Sequence, residues 1–166
     1  EKKLVKYLSN TNHKKILLAL SGGIDSVVLF NILNLFKNKL LFELYALHIN
    51  YKHNKNADMS EIFCKNLVES YDNTFISITS QKFNKNFEHN ARVFRYQRLK
   101  QYAFKNNIHI IMTAHHFDDQ IETIYMNEIN NSDWVSKIGI REEYGMIKRP
   151  MLDVTKKNIY KYANDN

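Results

Sequence analysis

The sequence predicts an α/β domain: a doubly wound, mostly parallel five-stranded sheet with helices on both faces. Three observations carry that expectation. Short apolar runs alternate with longer stretches of helical period along all 166 residues. The first run ends in Gly22-Gly23, as a buried parallel strand feeding a helix would. A chain that is 44% hydrophobic, with four Gly and one Pro, has enough apolar surface for one compact core and excludes a disordered or collagen-like chain. Strands separated by helices need crossover connections, and right-handed crossovers build a parallel sheet.

In chain order, residues 14–21 (KKILLALS) read as the first strand, and Ser26–Asn38, with Val27, Val28, Leu29, Ile32, Leu33, Leu35 and Phe36, as an apolar helix packed on it. Residues 43–51 (ELYALHINY) form a second strand and Met59–Tyr71 a second, amphipathic helix. A third strand spans Thr74–Thr79, before a long helix over Phe87–Asn106 that carries Arg92, Arg95, Tyr96 and Arg98. His109–His116 is the fourth strand and Asp119–Asn130 the fourth helix. Met146–Leu152 and Thr155–Ala163 supply a fifth strand and a last helix. No internal repeat, low-complexity linker or domain boundary interrupts the pattern, so one domain over residues 1–166 is expected. In such a sheet ligands bind beyond the carboxyl ends of the strands.

Composition narrows the function classes. One cysteine, Cys64, builds neither a disulfide framework nor a cysteine-ligated cluster, and the expected compartment is reducing: the cytoplasm, or an organellar stroma or matrix in a eukaryotic source. No apolar run approaches the roughly 18–20 residues of a membrane span, and the lysine-rich first fifteen residues lack the apolar core of a signal peptide. The first residue is Glu rather than Met, so the chain is expected to be part of a longer one. A net charge of +7 suggests an anionic partner such as nucleic acid. With 19 Lys, 21 Asn and 17 Ile, all with A/T-rich codons, codon bias accounts for part of that excess. The five Arg stand against the bias, and their positions carry more information.

The first chemical motif is Ser21-Gly22-Gly23-Ile24-Asp25-Ser26, between the first strand and the first helix. Two glycines admit positive φ and let backbone N–H groups approach an anion, while Ser21, Ser26 and the helix N-terminus add donors and a favourable dipole. The spacing matches neither the G-x-x-x-x-G-K-[ST] nor the G-x-G-x-x-G loop. A carboxylate beside phosphate repels it unless a cation lies between them, so Asp25 reads as a Mg²⁺ ligand. A strand–helix turn capped by Asp25 would explain a Gly-Gly pair alone, but not the whole string.

SGGIDS resembles the SGGxDS pyrophosphate loop of ATP pyrophosphatases, the PP-loop family, whose members adenylate a substrate oxygen and release pyrophosphate. Residues 86–96 (NFEHNARVFRY) resemble the N-L-E-x-x-A-R-x-x-R-Y stretch of the tRNA(Ile)-lysidine synthetase family within it. Arg92 and Arg95 lie on neighbouring parts of one helical face, within reach of one phosphate-rich ligand. Residues 113–123 (TAHHFDDQIET) are similar to that family's T-A-H-H-x-D-D-Q-x-E-T, at the end of a strand expected beside the first. Asp119 and Glu122 have the spacing of a capping box, yet two His and two Asp at a strand end also offer metal ligands or acid/base groups. Leu47-His48-Ile49-Asn50 matches the start of H-V-N-H-G-L-R, and the chain departs from it at Tyr51, Lys52, His53 and Asn54. It departs again at residues 130–134 (NNSDW), where the family has a Gly-rich segment, and recovers R-P-L-L as Arg149-Pro150-Met151-Leu152.

The resemblance implies an adenine nucleotide alpha hydrolase-like, Rossmann-like fold and a catalytic domain of a tRNA(Ile)-lysidine synthetase, with the family's C-terminal tRNA-binding region beyond this chain. ATP would adenylate the wobble cytidine of the tRNA(Ile) anticodon, and free L-lysine would displace AMP to form lysidine. Ser21, Gly22, Gly23, Ile24, Asp25, Ser26, Asn50 and Arg95 are the implied ATP-binding residues, and Asp25, Arg92, His115 and Asp119 the catalytic group. Asp25 and Asp119 would position Mg²⁺, Arg92 would neutralise charge at the α-phosphate, and His115 or Asp119 would accept a proton. No membrane association and a homodimer are expected. The rivals are another PP-loop enzyme, such as a tRNA thiolase or an amide-forming synthetase, and a non-catalytic RNA-binding module. Sulfur-transfer members generally use cysteine pairs, which this chain lacks.

Overall fold

The computed structural model describes residues 2–9, 15–53, 55–83, 85–131, 133 and 138–166. Twelve elements follow in the order α1 (Lys2–Ser9), β1 (Lys15–Ala19), α2 (Ile24–Leu40), β2 (Glu43–Asn50), α3 (Ala57–Glu69), β3 (Thr74–Thr79), α4 (Phe87–Lys105), β4 (Ile110–Met112), α5 (Phe117–Ile129), β5 (Glu143–Tyr144), β6 (Ile147–Lys148) and α6 (Lys156–Asp165). The sheet order is β3-β2-β1-β4-β6-β5. The first five of these strands are parallel, as the alternation of strand and helix requires, and β5 alone is antiparallel.

Strand alternation divides the core between two faces. Ile16, Leu18 and Leu20 point with Leu44 and Ala46 towards Val28, Leu29, Phe30 and Leu33 of α2, the α3 residues Cys64 and Val68, and Ile159 of α6. Leu17, Leu47, Ile49 and Ile111 point the other way, onto Leu99 and Ala103 of α4. A strand buried on both faces has no polar side to show, which is why β1 reads as an unbroken apolar run.

The five expected strands are all present, with two additions. The fourth and fifth are cut short: the expected His109–His116 narrows to Ile110–Met112, the expected Met146–Leu152 narrows to Ile147–Lys148, and residues 150–153 turn. Pro150 therefore lies past the strand, in the turn that follows it. The sixth strand, β5, doubles back on β6, pairing Glu143 with Lys148 and Tyr144 with Ile147. Helix α1 is the other addition, with Leu4 and Tyr7 buried in the core. It is tied to the β5–β6 segment by Tyr7 Oη donating to Glu142 (2.6 Å), and by Lys3 and Lys6 reaching Asp153 (2.8 Å) and Glu143 (3.1 Å). Lys14, expected at the head of the first strand, lies outside the described residues, as do Ser132 and Trp134 of the departing 130–134 segment.

Candidate functional site: a phosphate loop facing two basic and acidic motifs

The central strands β1 and β4 are neighbours, so the loops that follow them meet at the carboxyl edge of the sheet. After β1 the chain turns through Gly22 at φ +87° and enters α2 at Ile24, with Gly23 as the extended N-cap. Gly22 is the constrained position: a Cβ there would sit 3.2 Å from Cys64 Sγ of α3, in a backbone region L-residues avoid, whereas one on Gly23 would meet only Ser21 Oγ, at an ordinary contact distance of 3.4 Å. The loop is stitched internally: Ser26 Oγ donates to the Gly23 carbonyl (2.8 Å) and accepts the Ser21 N–H (3.2 Å), and the Gly23 N–H donates to Ser21 Oγ (3.2 Å). Ser26 is buried and shapes the loop from behind, whereas Ser21 is exposed at its mouth.

Asp25 stands in the first turn of α2, and its Oδ1 is buried with no hydrogen-bond partner. Across the gap, α5 begins with a reciprocal cap: the Asp119 N–H donates to His116 Nδ1 (3.4 Å), and the His116 N–H donates to Asp119 Oδ2 (2.8 Å). The capping box thus joins His116 and Asp119, one turn before the Asp119–Glu122 pair expected from spacing. Because His116 Nδ1 accepts, its Nε2 carries the proton, and that nitrogen lies 3.8 Å from Asp25 Oδ1. Asp118 Oδ2 accepts the Lys156 N–H (2.8 Å) at the start of α6 and lies 3.7 Å from His116 Nδ1.

His115, one residue earlier, bonds Thr113 Oγ1 through Nδ1 (2.9 Å). Burial pushes its imidazole down to about 4, helped by the positive charges of Arg149, Arg95 and Arg92 and opposed by Asp119. At neutral pH it is an uncharged imidazole. Arg95 is half-buried and lines the cleft; Arg92, a turn earlier on α4, is exposed. Both guanidiniums lie over the Tyr96 ring, at 5.8 Å for Arg92 and 5.6 Å for Arg95.

Sequence reasoning gave no role to Arg149, and counted His116 only among the motif's general metal-ligand or acid/base groups. Arg149 is 5% exposed, donates to the Arg141 carbonyl (2.6 Å) and Tyr96 Oη (3.3 Å), and keeps a buried Nε without a partner. An arginine inside an apolar tail of an arginine-poor chain was the signal available. Asn50 is placed differently from a free nucleotide ligand: at 1% exposure, its amide donates to Asp58 (2.7 Å) and Glu61 (2.5 Å), and its Oδ1 accepts the Lys52 N–H (2.9 Å). It fastens the end of β2 to α3. His48, also buried, holds β2 to the phosphate loop through Nδ1 and the Leu20 carbonyl (2.9 Å).

Together Ser21, Asp25, Ser26, Arg95, His115 and Asp119 edge a cleft of about 400 Å³ whose floor is Leu47, Ile49 and Leu99. An apolar floor with a polar, mixed-charge rim suits a nucleotide, base below and phosphates at the loop. Among the described residues no cluster of three or more His, Cys, Asp or Glu could hold a metal by itself. Mg²⁺ does not need one, because it binds through one or two carboxylates together with phosphates and water. The orphaned Oδ1 of Asp25, with Asp119 on the same cleft, fits that donor set.

A glycine-pair loop between a central strand and a helix N-terminus, facing a carboxylate and an arginine helix, defines a nucleotide-binding domain of the phosphate-loop class. A family model described as a PP-loop domain matches residues 1–166, and the chain belongs to the PP-loop family. Over 153 residues it is 37% identical to the tRNA(Ile)-lysidine synthase of Streptococcus pyogenes serotype M1, which covers 89% of this chain and 35% of that relative. Over 180 residues it is 32% identical to the same enzyme of Streptococcus mutans serotype c, covering 99% and 41%. The chain thus spans roughly a third of the length of the curated relatives it matches. Its fold matches the U34-tRNA thiolase NcsA of Methanococcus maripaludis with a TM-score of 0.81 at 18% identity, over 98% of this chain and 61% of that one. No helix among the described residues is long and apolar enough to cross a membrane.

Proposed function

We propose that this domain carries the chemistry of a tRNA(Ile)-lysidine synthase, using ATP to activate the wobble cytidine of tRNA(Ile) and free L-lysine to complete the modification. The observation that carries the reading is the convergence of Asp25, Arg95, His115 and Asp119 on one cleft, from three motifs far apart in the chain.

In the first step the O2 of the cytidine attacks the α-phosphorus of ATP, and the bond to the β-phosphate oxygen breaks as pyrophosphate leaves. Ser21 and the Gly22-Gly23 backbone hold the leaving group, and Ile24 and Ser26 keep the loop on the helix N-terminus. Arg95 lines the cleft, and Arg92, exposed one turn earlier on α4, would join it in screening the negative charge that grows at the α-phosphate. Mg²⁺, held by Asp25 and Asp119, would supply charge neutralisation of the phosphates. In the second step an amine of lysine attacks C2, the C2–O2 bond breaks, and AMP departs with the oxygen. The attacking ammonium must lose a proton. The two acceptors on the cleft are Asp119 and the uncharged His115, and the burial and arginine charges that depress His115 weaken it as a base.

Sulfur transfer is disfavoured by Cys64, which is fully buried and whose thiol is pushed up to about 11 by burial. Lysines and the exposed Arg92, Arg98 and Arg141 supply a salt-sensitive surface for the tRNA, whereas Arg149 is buried. The proposed compartment is the cytoplasm, and the proposed assembly a homodimer. Exposed Phe117, Ile121, Tyr125 and Ile129, at four-residue spacing along α5, support the dimer; light scattering of the purified protein tests it.

The deciding experiment measures AMP and pyrophosphate release from ATP by the protein given tRNA(Ile), with and without lysine. The expected result is lysine-dependent AMP release well above an Asp25→Ala control. No AMP above that control would overturn an enzymatic role, and lysine-independent product would point to a different PP-loop reaction.

A further inference from the structure

A second cavity, of about 250 Å³, opens beside the nucleotide cleft and shares the wall residues Ser21, Ile49 and Tyr51 with it. Its rim is formed by His53 and Phe87, whose rings stack in parallel, with centroids 4.0 Å apart and planes 21° apart. Phe87 is braced edge-on by Tyr51 (5.8 Å, 75°) and by Phe83 (6.1 Å, 62°), which in turn meets Phe94. Tyr51 Oη is anchored to the Ala91 carbonyl (3.2 Å). The result is a braced aromatic stack ending in an exposed imidazole face. Tyr51 and His53 lie in the segment where the sequence departs from the family pattern.

We infer that this cavity receives one unpaired nucleobase of the RNA substrate, stacked on the outer face of His53, a reading that rests on the tRNA-modifying function proposed above. Three features favour an RNA base. Parallel aromatic rings at this spacing extend naturally by one more flat ring, and proteins hold unpaired RNA bases in this way. The cavity lies below the roughly 300–1,000 Å³ of pockets that enclose a whole drug-sized ligand, so it takes one ring and not a second complete nucleotide triphosphate. The flanking segments carry Lys52, Lys55, Lys82 and Lys85 against Asp58 (itself paired with Lys52), Glu61 and Glu88, a net positive balance. That charge balance suits the backbone on either side of a splayed base. The shared wall at Ser21 places such a base alongside the phosphate loop, where a nucleotide awaiting adenylation belongs.

The test uses a fluorescently labelled anticodon stem-loop RNA of tRNA(Ile) as the binding probe, together with steady-state turnover. His53 is exposed, so His53→Ala should leave the thermal midpoint unchanged while weakening binding of the probe about tenfold, the scale of one lost base–aromatic stack. KM for tRNA should rise by a similar factor with KM for ATP unchanged, and His53→Phe should restore both. Unchanged probe affinity in His53→Ala would overturn the inference, as would a rise in KM for ATP instead, which would make the cavity part of the ATP site. Both outcomes are read against wild-type turnover. A wild-type protein that releases no tRNA-dependent AMP refutes the proposed function itself, whereas an active wild type with an indifferent His53→Ala refutes only the base platform.

Discussion

His116 Nε2 lies 3.8 Å from Asp25 Oδ1, joining the first turn of α2 to the first turn of α5 across the mouth of the cleft. The buried imidazole caps its own helix through Nδ1 and faces the phosphate-loop carboxylate with Nε2, at a distance beyond a hydrogen bond, so one ring stands between two motifs. The two functions separate by substitution. His116→Asn keeps a preferred N-cap acceptor but falls short of Asp25, and is expected to hold its thermal midpoint while losing tenfold or more in pyrophosphate release. His116→Ala loses the cap as well, at a cost of about 1 kcal/mol or more. Wild-type turnover in His116→Asn would remove His116 from any role in placing Asp25.

The depressed His115 makes stability depend on pH. Its imidazole titrates near 4 in the folded domain and near 6.5 when unfolded, so the unfolded chain takes up the proton first as pH falls. The stability it contributes is present above about pH 6.5 and is lost between there and about pH 4, on the order of 3 kcal/mol at most. Urea midpoints across this range should fall more steeply for wild type than for His115→Gln. Parallel slopes would show that the imidazole is not held neutral.

Gly22→Ala meets two obstacles, a backbone at φ +87° and a Cys64 Sγ 3.2 Å from the new Cβ. The left-handed conformation alone costs roughly 1–2 kcal/mol in an L-residue. A Gly22→Ala/Cys64→Ala double variant relieves the crowding but not the backbone strain, so chemical denaturation should show partial rescue. Full rescue would assign the whole effect to crowding.

Arg92 is exposed, and its removal should leave the fold intact. Arg92→Ala is expected to lower turnover about 100-fold or more, the scale of one lost transition-state charge stabiliser, with an unchanged thermal midpoint. A collapsed midpoint would mean that the guanidinium holds the helix instead.

Asn50→Asp replaces an amide donor by a third carboxylate between Asp58 and Glu61 without changing its size. The expected loss is on the order of 2 kcal/mol near neutral pH, from like-charge repulsion and two lost hydrogen bonds. The gap to wild type should narrow as pH falls through the carboxylate range near 4. A loss that persists at low pH would assign the effect to packing.

The parallel core was readable because β1, β2 and β4 are apolar runs that carry their own period, and the phosphate loop because Gly22 and Gly23 have a purpose that few other sequences share. The β5–β6 hairpin was not readable: two-residue strands have no period to detect, and their pairing depends on Tyr144 and Ile147 meeting in space. Helix α1, only eight residues long, is held by the partners of Lys3, Lys6 and Tyr7 more than 130 positions away, which no local pattern announces. At the site, motif residues were legible as chemistry but not as neighbours. Nothing in the string His115-His116 says which ring caps a helix and which lies among three arginines, and Asn50 looked available until α3 supplied two carboxylates for its amide.

The sheet order has a consequence for how the protein is made. Strand β1 is central, yet one of its edges is closed only when Ile16 pairs with Ile110 of β4. At a ribosomal pace of ~5–20 residues per second, the intervening stretch takes about 5–20 s to appear. For that interval the nascent chain presents an apolar strand with an open row of backbone donors and acceptors, the kind of edge on which chains cross-associate. A pause in translation before β4 would lengthen the exposure, so the yield of folded protein should depend on how quickly the ribosome reaches the strand that completes the cleft.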